Sequence, residues 1–495
     1  MKKFLKTALL LAFLSLAVSC NFNTPKPPVS YVKDNGTWKG VFEGYWAGMN
    51  NNYLFWNLDS PSDEWDTVYD RYVEKFEALG SVDYSDAANT REAILLLFDV
   101  AKGLSDGHYD LTVPIDKEKN ASFCPRDYQI AWEKYKDIAG ATERGLLELF
   151  YDRQNRRSEY DELFPDDYRY ESTKTILANT FKVKWPDDPA DGNFAFISDY
   201  DLYDRLSDSI DKSKLTYKLV LPTGSEYLLD EYFSEWMLFG TYKDGSVDFS
   251  CLLGLTKRDD AKGIPDNSVY LGFSSFNFYT YVNEGNSDLL ALLEIFKGYK
   301  RRNDTTGLVL DVRGNTGGFN IDRDLLFSDL VAELHQFAST RQKIGDNRLD
   351  YSPWMPLYLY PYTPKANEAG YSPSPLYDKP IVAVTNRFSI SNGELTAMLA
   401  KSFPKGTTVG GLTYGGQGAL SGDKTNTAAN GGEFSVGSYI STVYTPYLQT
   451  KALDGTIYEG KGIPPEIPVD FNKTEFESGT DARLERAFQY VIDTQ

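Results

Sequence analysis

The chain has 495 residues, enough for two or three domains with proper cores. Its 71 acidic against 51 basic side chains leave a formal charge of −20, and no basic stretch compensates locally, which argues against nucleic acid as a partner. Two histidines and three cysteines are too few for a metal site built on several imidazoles or for a zinc cage, so neither a metal nor another cofactor is expected.

Lys2, Lys3 and Lys6 precede a short apolar run from Thr7 to Val18, and the small residues Ala17 and Ser19 lead into Cys20. A run this short reads as a secretory signal over 1–19 rather than a spanning helix. Its end resembles the lipobox of bacterial lipoproteins, with Ala17 where leucine is usual. That resemblance implies lipid attachment at Cys20 and a place in the cell envelope, with the membrane engaged through the anchor alone. Ordinary cleavage near Ser19 would instead leave Cys20 an incidental thiol. Residues 20–35 read as a flexible linker, because Asn21 to Ser30 holds three prolines and no apolar period. An exported protein permits Cys124 and Cys251 to pair, but two cysteines do not make a framework.

Residues 36–110 read as a helical domain. Val41, Tyr45 and Trp46 carry helical spacing, as do Trp65, Val68, Tyr69, Tyr72 and Val73, and Ala87 to Leu104 forms a third helix closed by Ser105-Asp106-Gly107. Residues 111–265 read as an intervening mixed region, with a helix at Glu143–Phe150 and strands at Phe194–Ile197, Tyr217–Leu221 and Val247–Leu253. Asp187, Asp188 and Asp191 fall short of a calcium loop, because Pro189 takes a ligand position and the distal glutamate is missing. From 266 to 495 strands and helices alternate: strands at Val269–Phe273, Leu308–Val312, Ile381–Val384 and Thr408–Thr413, helices at Leu289–Tyr299, Leu325–Leu334 and Glu394–Lys401. This order predicts an α/β core (α+β overall) with a mostly parallel sheet, whose sites gather at the carboxyl ends of the strands.

Three segments carry candidate chemistry. His108 directly follows a helix-to-strand turn, whereas His335 sits near the end of a predicted helix, where a cation is favoured on structural grounds alone. Arg313-Gly314-Asn315-Thr316-Gly317-Gly318 follows a buried strand, and its paired glycines can turn N–H groups toward an oxyanion or simply form a loop. Ser391 lies between a strand and a helix, where a hydroxyl faces developing charge. Yet Ser391-x-x-Glu394 is also a capping box.

Taken in order, the segments resemble the tail-specific (C-terminal processing) and tricorn-core-like serine peptidases. The family's Asp-x-Arg-x-Asn-x-Gly-Gly loop is matched by Asp311 to Gly318, and its nucleophile segment by Ser389 to Glu394. Its Val-Gly-x-x-Thr-Tyr-Gly strand is matched by Val409 to Gly415, and its Gly-Ile/Val-x-Pro-(Asp/Glu) turn by Gly462 to Glu466. The resemblance implies a crotonase-like or ClpP-like peptidase core, a peptide or protein substrate and Ser391 as nucleophile. The tail-specific branch places its catalytic lysine where this chain has Gly416, followed by Gln417. The tricorn-like branch uses a histidine and a glutamate, matched by His108 and Glu459. It further implies oxyanion donors at Gly317, Gly318 and Asn392. Gly107 replaces the serine that links histidine to glutamate in tricorn-type sites, so Asp106 is a rival orienter and Lys461 a remote fallback base. Residues 111–265 occupy the slot of a PDZ domain without showing its carboxylate-binding loop. The rival function is an inactive relative that binds a ligand or glycan, since a fold does not fix a function.

Overall fold

A computed structural model of the chain describes residues 29–30, 36–59, 63–164, 192–198, 226–244, 246–345, 347–362, 377–420, 432–478 and 480–495. Cys20, the signal segment, Asp187 to Asp191 and the strand expected at Tyr217–Leu221 lie outside these. The chain divides into two compact units, each assembled from separate stretches. One comprises Met1–Arg156, Arg341–Pro353 and Gly418–Gln449, the other Arg157–Thr340, Trp354–Gln417 and Thr450–Gln495.

The first unit joins helices to a five-stranded sheet. Thr37 starts the helix Trp38–Asn52 by accepting the Gly40 N–H on its hydroxyl at 3.1 Å. Val41, Phe42, Tyr45 and Met49 recur on its buried face, and the Phe42 ring stacks on Phe76 of the helix Asp63–Ala78 at 4.6 Å between centroids. Burying such a phenylalanine contributes about 1.5–3 kcal/mol. Asp86 caps the third helix, Ala87–Ala101. The sheet order is Val29–Ser30, Phe434–Val436, Ile440–Tyr444, Asp110–Pro114, Asn120–Phe123. Val29 and Ser30, inside the expected linker, thus pair in parallel with Phe434 and Ser435. Gly48 is forced by this packing, because a Cβ there would fall 2.1 Å from the Phe434 ring.

The second unit is built on an eight-stranded sheet. Its order is Ile467–Pro468, Gly406–Gly410, Ile381–Thr385, Gly307–Asp311, Ser268–Phe273, Ser246–Thr256, Phe233–Lys243, Gly192–Ile197. The first five strands run parallel and the last three are added antiparallel. The expected parallel core is therefore five strands of an eight-stranded mixed sheet, and the strands read at Phe194–Ile197 and Val247–Leu253 continue it. Strand residues alternate between two buried layers. Leu308, Leu310, Ile381 and Ala383 pack with Leu292, Phe296 and Leu399, while Val309, Val382 and Val384 pack with Leu484, Phe488 and Val491.

Two boundaries differ from the sequence reading. The strand expected at Thr408–Thr413 is Gly406–Gly410, ended by Gly410 at φ +119°. The helix expected at Leu325–Leu334, with His335 near its end, stops early: Asn320–Phe327 passes through one 3₁₀ turn, and His335 opens the strand His335–Gln342. The helical period there was carried by few residues, and antiparallel pairing with Met355–Leu359 overrides it. His335 is accounted for structurally. One ring nitrogen lies 2.8 Å from the Ser402 hydroxyl, and the ring stacks on Phe403. Cys124 and Cys251 form no disulfide with each other.

Candidate active site

The site of the second unit begins with a buried charge network. Strand Gly307–Asp311 delivers Asp311 and Arg313 to the sheet's carboxyl edge, where Arg313 is fully buried. Its guanidinium donates to Asp311 at 2.6 and 2.9 Å and to Asp481 at 2.7 and 2.9 Å, and the Tyr270 hydroxyl donates to Asp311 at 3.0 Å. Asp481 also caps the last helix, Ala482–Thr494, accepting the Leu484 N–H. Arg313 is thus a structural tie rather than a reacting group.

The loop beyond it is held from within. Asn315 donates to the Phe273 carbonyl at 3.0 Å and accepts the Gly317 N–H at 2.9 Å. Gly317 and Gly318 adopt φ values of +85° and +136°, and a Cβ on Gly318 would lie 2.1 Å from the Phe276 carbonyl oxygen. The Asn392 side chain donates to the Gly318 carbonyl at 2.7 Å. The Gly317 N–H, expected as an oxyanion donor, is therefore committed to Asn315. Gly317 instead supplies clearance, since a Cβ there would stand 2.5 Å from Ser391 Cβ and 3.0 Å from its Oγ.

Ser391 lies at the N-cap of the helix Asn392–Lys401 with φ 56° and ψ −119°. A non-glycine residue held in such backbone costs on the order of 1–3 kcal/mol. The side chain makes no capping hydrogen bond. The capping-box reading is thereby overturned: Glu394 turns away to accept from Thr413, from the N–H groups of Gly415 and Gly416 at 2.9 and 2.6 Å, and from Gln417 Nε2 at 2.7 Å. The Ser391 N–H donates to the Gly416 carbonyl at 2.9 Å. Ser389 is likewise structural, its hydroxyl donating to the Val312 carbonyl at 2.8 Å. Glu459, 1 % exposed, accepts the Gln417 N–H at 2.8 Å. Glu394 and Glu459 therefore grip the same short loop.

His108 belongs to the first unit. Its backbone N–H donates to Asp106 Oδ1 at 2.8 Å, while Asp106 Oδ2 accepts from Thr445 at 2.6 Å. Asp106 therefore fixes the turn through the backbone, and it does not orient the ring as the rival reading had it. The ring's Nδ1 is enclosed without a hydrogen-bond partner, and burial pulls the imidazole pKa down to about 4. Burial pushes the carboxyl of Asp59, which accepts the Ser105 N–H at 2.8 Å, up to about 6. Burial likewise raises Asp106, and the charge of Asp59 adds to that shift.

Residues 268–469 match the model of Peptidase family S41. The chain carries a peptidase family S41 domain. It is 24 % identical over 212 residues to the Tricorn protease of Thermoplasma volcanium, covering 43 % of this chain and 17 % of that protein. It is 22 % identical over 477 residues to a putative Tricorn-like protease C-terminal subunit of Sulfurisphaera tokodaii, covering 93 % of this chain and 44 % of that one. The chain thus spans less than half the length of these curated relatives. Among solved structures, a putative peptidase from Parabacteroides merdae shares the fold, with a TM-score of 0.52 and 18 % identity over 92 % of this chain and 98 % of that one.

The matched stretch contains Ser391, Glu459, Gly317, Gly318 and Asn392, all in the second unit. The glycines and Ser391-Asn392 follow the carboxyl ends of the strands Gly307–Asp311 and Ile381–Thr385, whereas Glu459 lies in the loop that leads into Ile467–Pro468. Sequence reasoning missed Asp481 and the true role of Glu394. Asp481 had a legible signal in its cap position before the last amphipathic helix, whereas nothing local points from Glu394 to Gly415 and Gly416.

Proposed function

We propose that the protein is an exported serine peptidase in which Ser391 attacks the peptide carbonyl and His108 takes the serine proton. The carrying observation is Ser391 itself, held at positive φ at a helix N-terminus with its hydroxyl free of any cap and Gly317 clearing space beside it. A serine hydroxyl needs an adjacent base, and His108, depressed by burial, is unprotonated at neutral pH. The oxyanion forming on the carbonyl oxygen is received by the N–H groups of Gly318 and Asn392, helped by the positive end of the helix Asn392–Lys401. The imidazolium then passes its proton to the leaving amine, freeing that product and leaving an acyl-serine that water hydrolyses by the reverse sequence. Glu459 stabilises the charged histidine in this scheme. Lipid attachment at Cys20 and residence in the cell envelope are part of the proposal, supported by the sequence pattern before that residue.

The test is peptide hydrolysis by the purified protein. Ser391→Ala and His108→Ala should each lower turnover by at least about a thousandfold, and a serine-directed phosphonate should label Ser391. Unchanged hydrolysis in both variants sinks the reading. For the anchor, metabolic labelling with a fatty acid should disappear in Cys20→Ala.

A further inference from the structure

The helix Asn392–Lys401 carries Ser391 at its start, and its other end walls a separate cavity. At about 1.5 Å per residue, Lys401 lies roughly 15 Å along the axis from the nucleophile's end. The cavity has a volume of about 330 Å³, within the range of small-molecule sites, and all its lining belongs to the second unit. Its place on the sheet is equally remote. Glu466, on the rim, accepts the hydroxyl of Thr407, the second residue of the strand Gly406–Gly410. That wall therefore lies toward the amino edge of the sheet, whereas Ser391 stands beyond the carboxyl edge.

The lining has two parts. Phe337, Met398, Ala452 and Ile463 form an apolar floor, which Leu453, 55 % exposed, extends at the mouth. Lys401, Asp454, Tyr458 and Glu466 form a polar rim. Ser402 also lines the cavity, beside His335, but this pair makes no second nucleophile. The Ser402 hydroxyl donates to the Leu399 carbonyl at 2.6 Å, so the imidazole can only donate to it and takes no proton. The cavity is suited to holding a molecule, not to attacking one.

Charge selects the molecule. The rim sets two carboxylates against one ammonium. Burial pushes the Asp454 carboxyl up, but donation from the Tyr458 hydroxyl at 2.7 Å and the Thr456 N–H at 2.8 Å outweighs it and holds the group below the usual carboxylate range. Lys401 Nζ lies 3.6 Å from Glu466 Oε1, an ion pair too long for a hydrogen bond. Among the described residues that oxygen has no hydrogen-bond donor, while Oε2 takes Thr407. The end of the helix Asn392–Lys401 adds the negative pole of its dipole. The Phe337 and Tyr458 rings in the lining likewise favour a cation over an anion.

We propose that this cavity is a binding site for a small amphipathic amine, its apolar body on Phe337, Met398 and Ile463 and its ammonium paired with Asp454 and Glu466. The site is separate from the loops around Ser391, and the inference does not depend on the peptidase reading. The incoming ammonium competes with Lys401 for Glu466 Oε1. The lysine therefore weakens the ligand's hold instead of supplying it.

Binding to the full purified chain, near neutral pH and at low salt, tests the assignment. Phenylbutylamine, phenylbutyrate and phenylbutanol serve as probes, with one apolar body and three different heads. The amine should bind about tenfold tighter than the alcohol, and the carboxylate should bind weakest. Asp454→Asn should weaken the amine by about threefold or more, and Lys401→Gln should tighten it by a similar factor, with the alcohol unchanged in both. Ala452→Trp fills the apolar part and should remove binding of all three probes. Equal affinities, a carboxylate that binds tightest, or no measurable binding of the amine each overturn the proposal. So do amine binding that survives Ala452→Trp, an Asp454→Asn effect that ignores the head group, and an amine that Lys401→Gln fails to tighten. Should Ala452→Trp fail to fold, Asp454→Asn and Lys401→Gln, both at side chains open to solvent in part, still decide the outcome.

Discussion

The backbone N–H of Ser391 donates to the carbonyl of Gly416 at 2.9 Å, while the N–H of that same Gly416 donates to Glu394 three residues further along the nucleophile's chain. The serine turn and the Thr413–Gln417 loop are thus stitched in both directions. Glu394→Gln would place an amide NH₂ among groups that all donate. A loss of about 3–5 kcal/mol is expected, as when a buried charge-assisted network is broken. Urea unfolding measures it, and a loss below about 1 kcal/mol would show the stitching to be incidental.

Because the Ser391 side chain caps nothing, its removal should be nearly free. Ser391→Ala should change stability by less than about 0.5 kcal/mol, against roughly 1 kcal/mol for a true N-cap. Ser391→Gly should raise stability by about 1 kcal/mol by relieving the positive φ, while abolishing hydrolysis. Thermal melts of the three proteins side by side decide the matter.

Gly317 tests whether space beside Ser391 is required. Gly317→Ala combines positive φ with a Cβ 2.5 Å from Ser391 Cβ, whereas Gly140→Ala has φ +80° and nothing within 4 Å. The first should cost about 2–4 kcal/mol and the second about 1–2. Equal costs would mean that the neighbouring serine moves aside.

The acid limb of activity should lie low. Burial depresses His108 to about 4, so the base is already unprotonated well below the ordinary imidazole value near 6.5. The pH profile of kcat/KM should therefore fall off on the acid side near pH 4–5, not near 6.5. A midpoint at 6.5 or above would remove His108, as it sits here, from the role of base.

Asp106 gives a stability slope of known sign. Burial raises its pKa, so the folded protein keeps that proton to higher pH than the unfolded chain does. Above about pH 4 the folded state then binds the extra proton, and stability falls as pH rises, by at most about 1.4 kcal/mol per unit. Asp106→Asn keeps an acceptor for the His108 N–H but removes the titration. Its stability relative to the parent should climb with pH from about pH 4 upward, and a flat difference would count against a protonated Asp106.

Much of this architecture was legible because short apolar runs such as Leu308–Leu310 and Ile381–Val384, rich in β-branched residues and followed closely by turn residues, favour strands buried on both faces. The site loops were legible through ordered motifs from Asp311 to Glu466. What escaped reading depends on partners far away in sequence. A capping box looks the same whether or not its serine turns inward, and only the pull of Thr413, Gly415 and Gly416 on Glu394 decides it. His335 was assigned to a helix because its period is local, whereas the pairing of Leu359 with it is not.

The tie between Arg313 and Asp481 also sets an order of events during synthesis. The strand that carries Arg313 is made well before the residue that completes its charge balance, which lies 168 positions later. Until Asp481 emerges and the last helix docks, Arg313 has only Asp311 to set against the loss of water. A ribosome-bound or truncated chain ending short of 481 would thus keep the loops around Ser391 unsettled. Competence for cleavage would be withheld until Asp481 and the helix Ala482–Thr494 have been made.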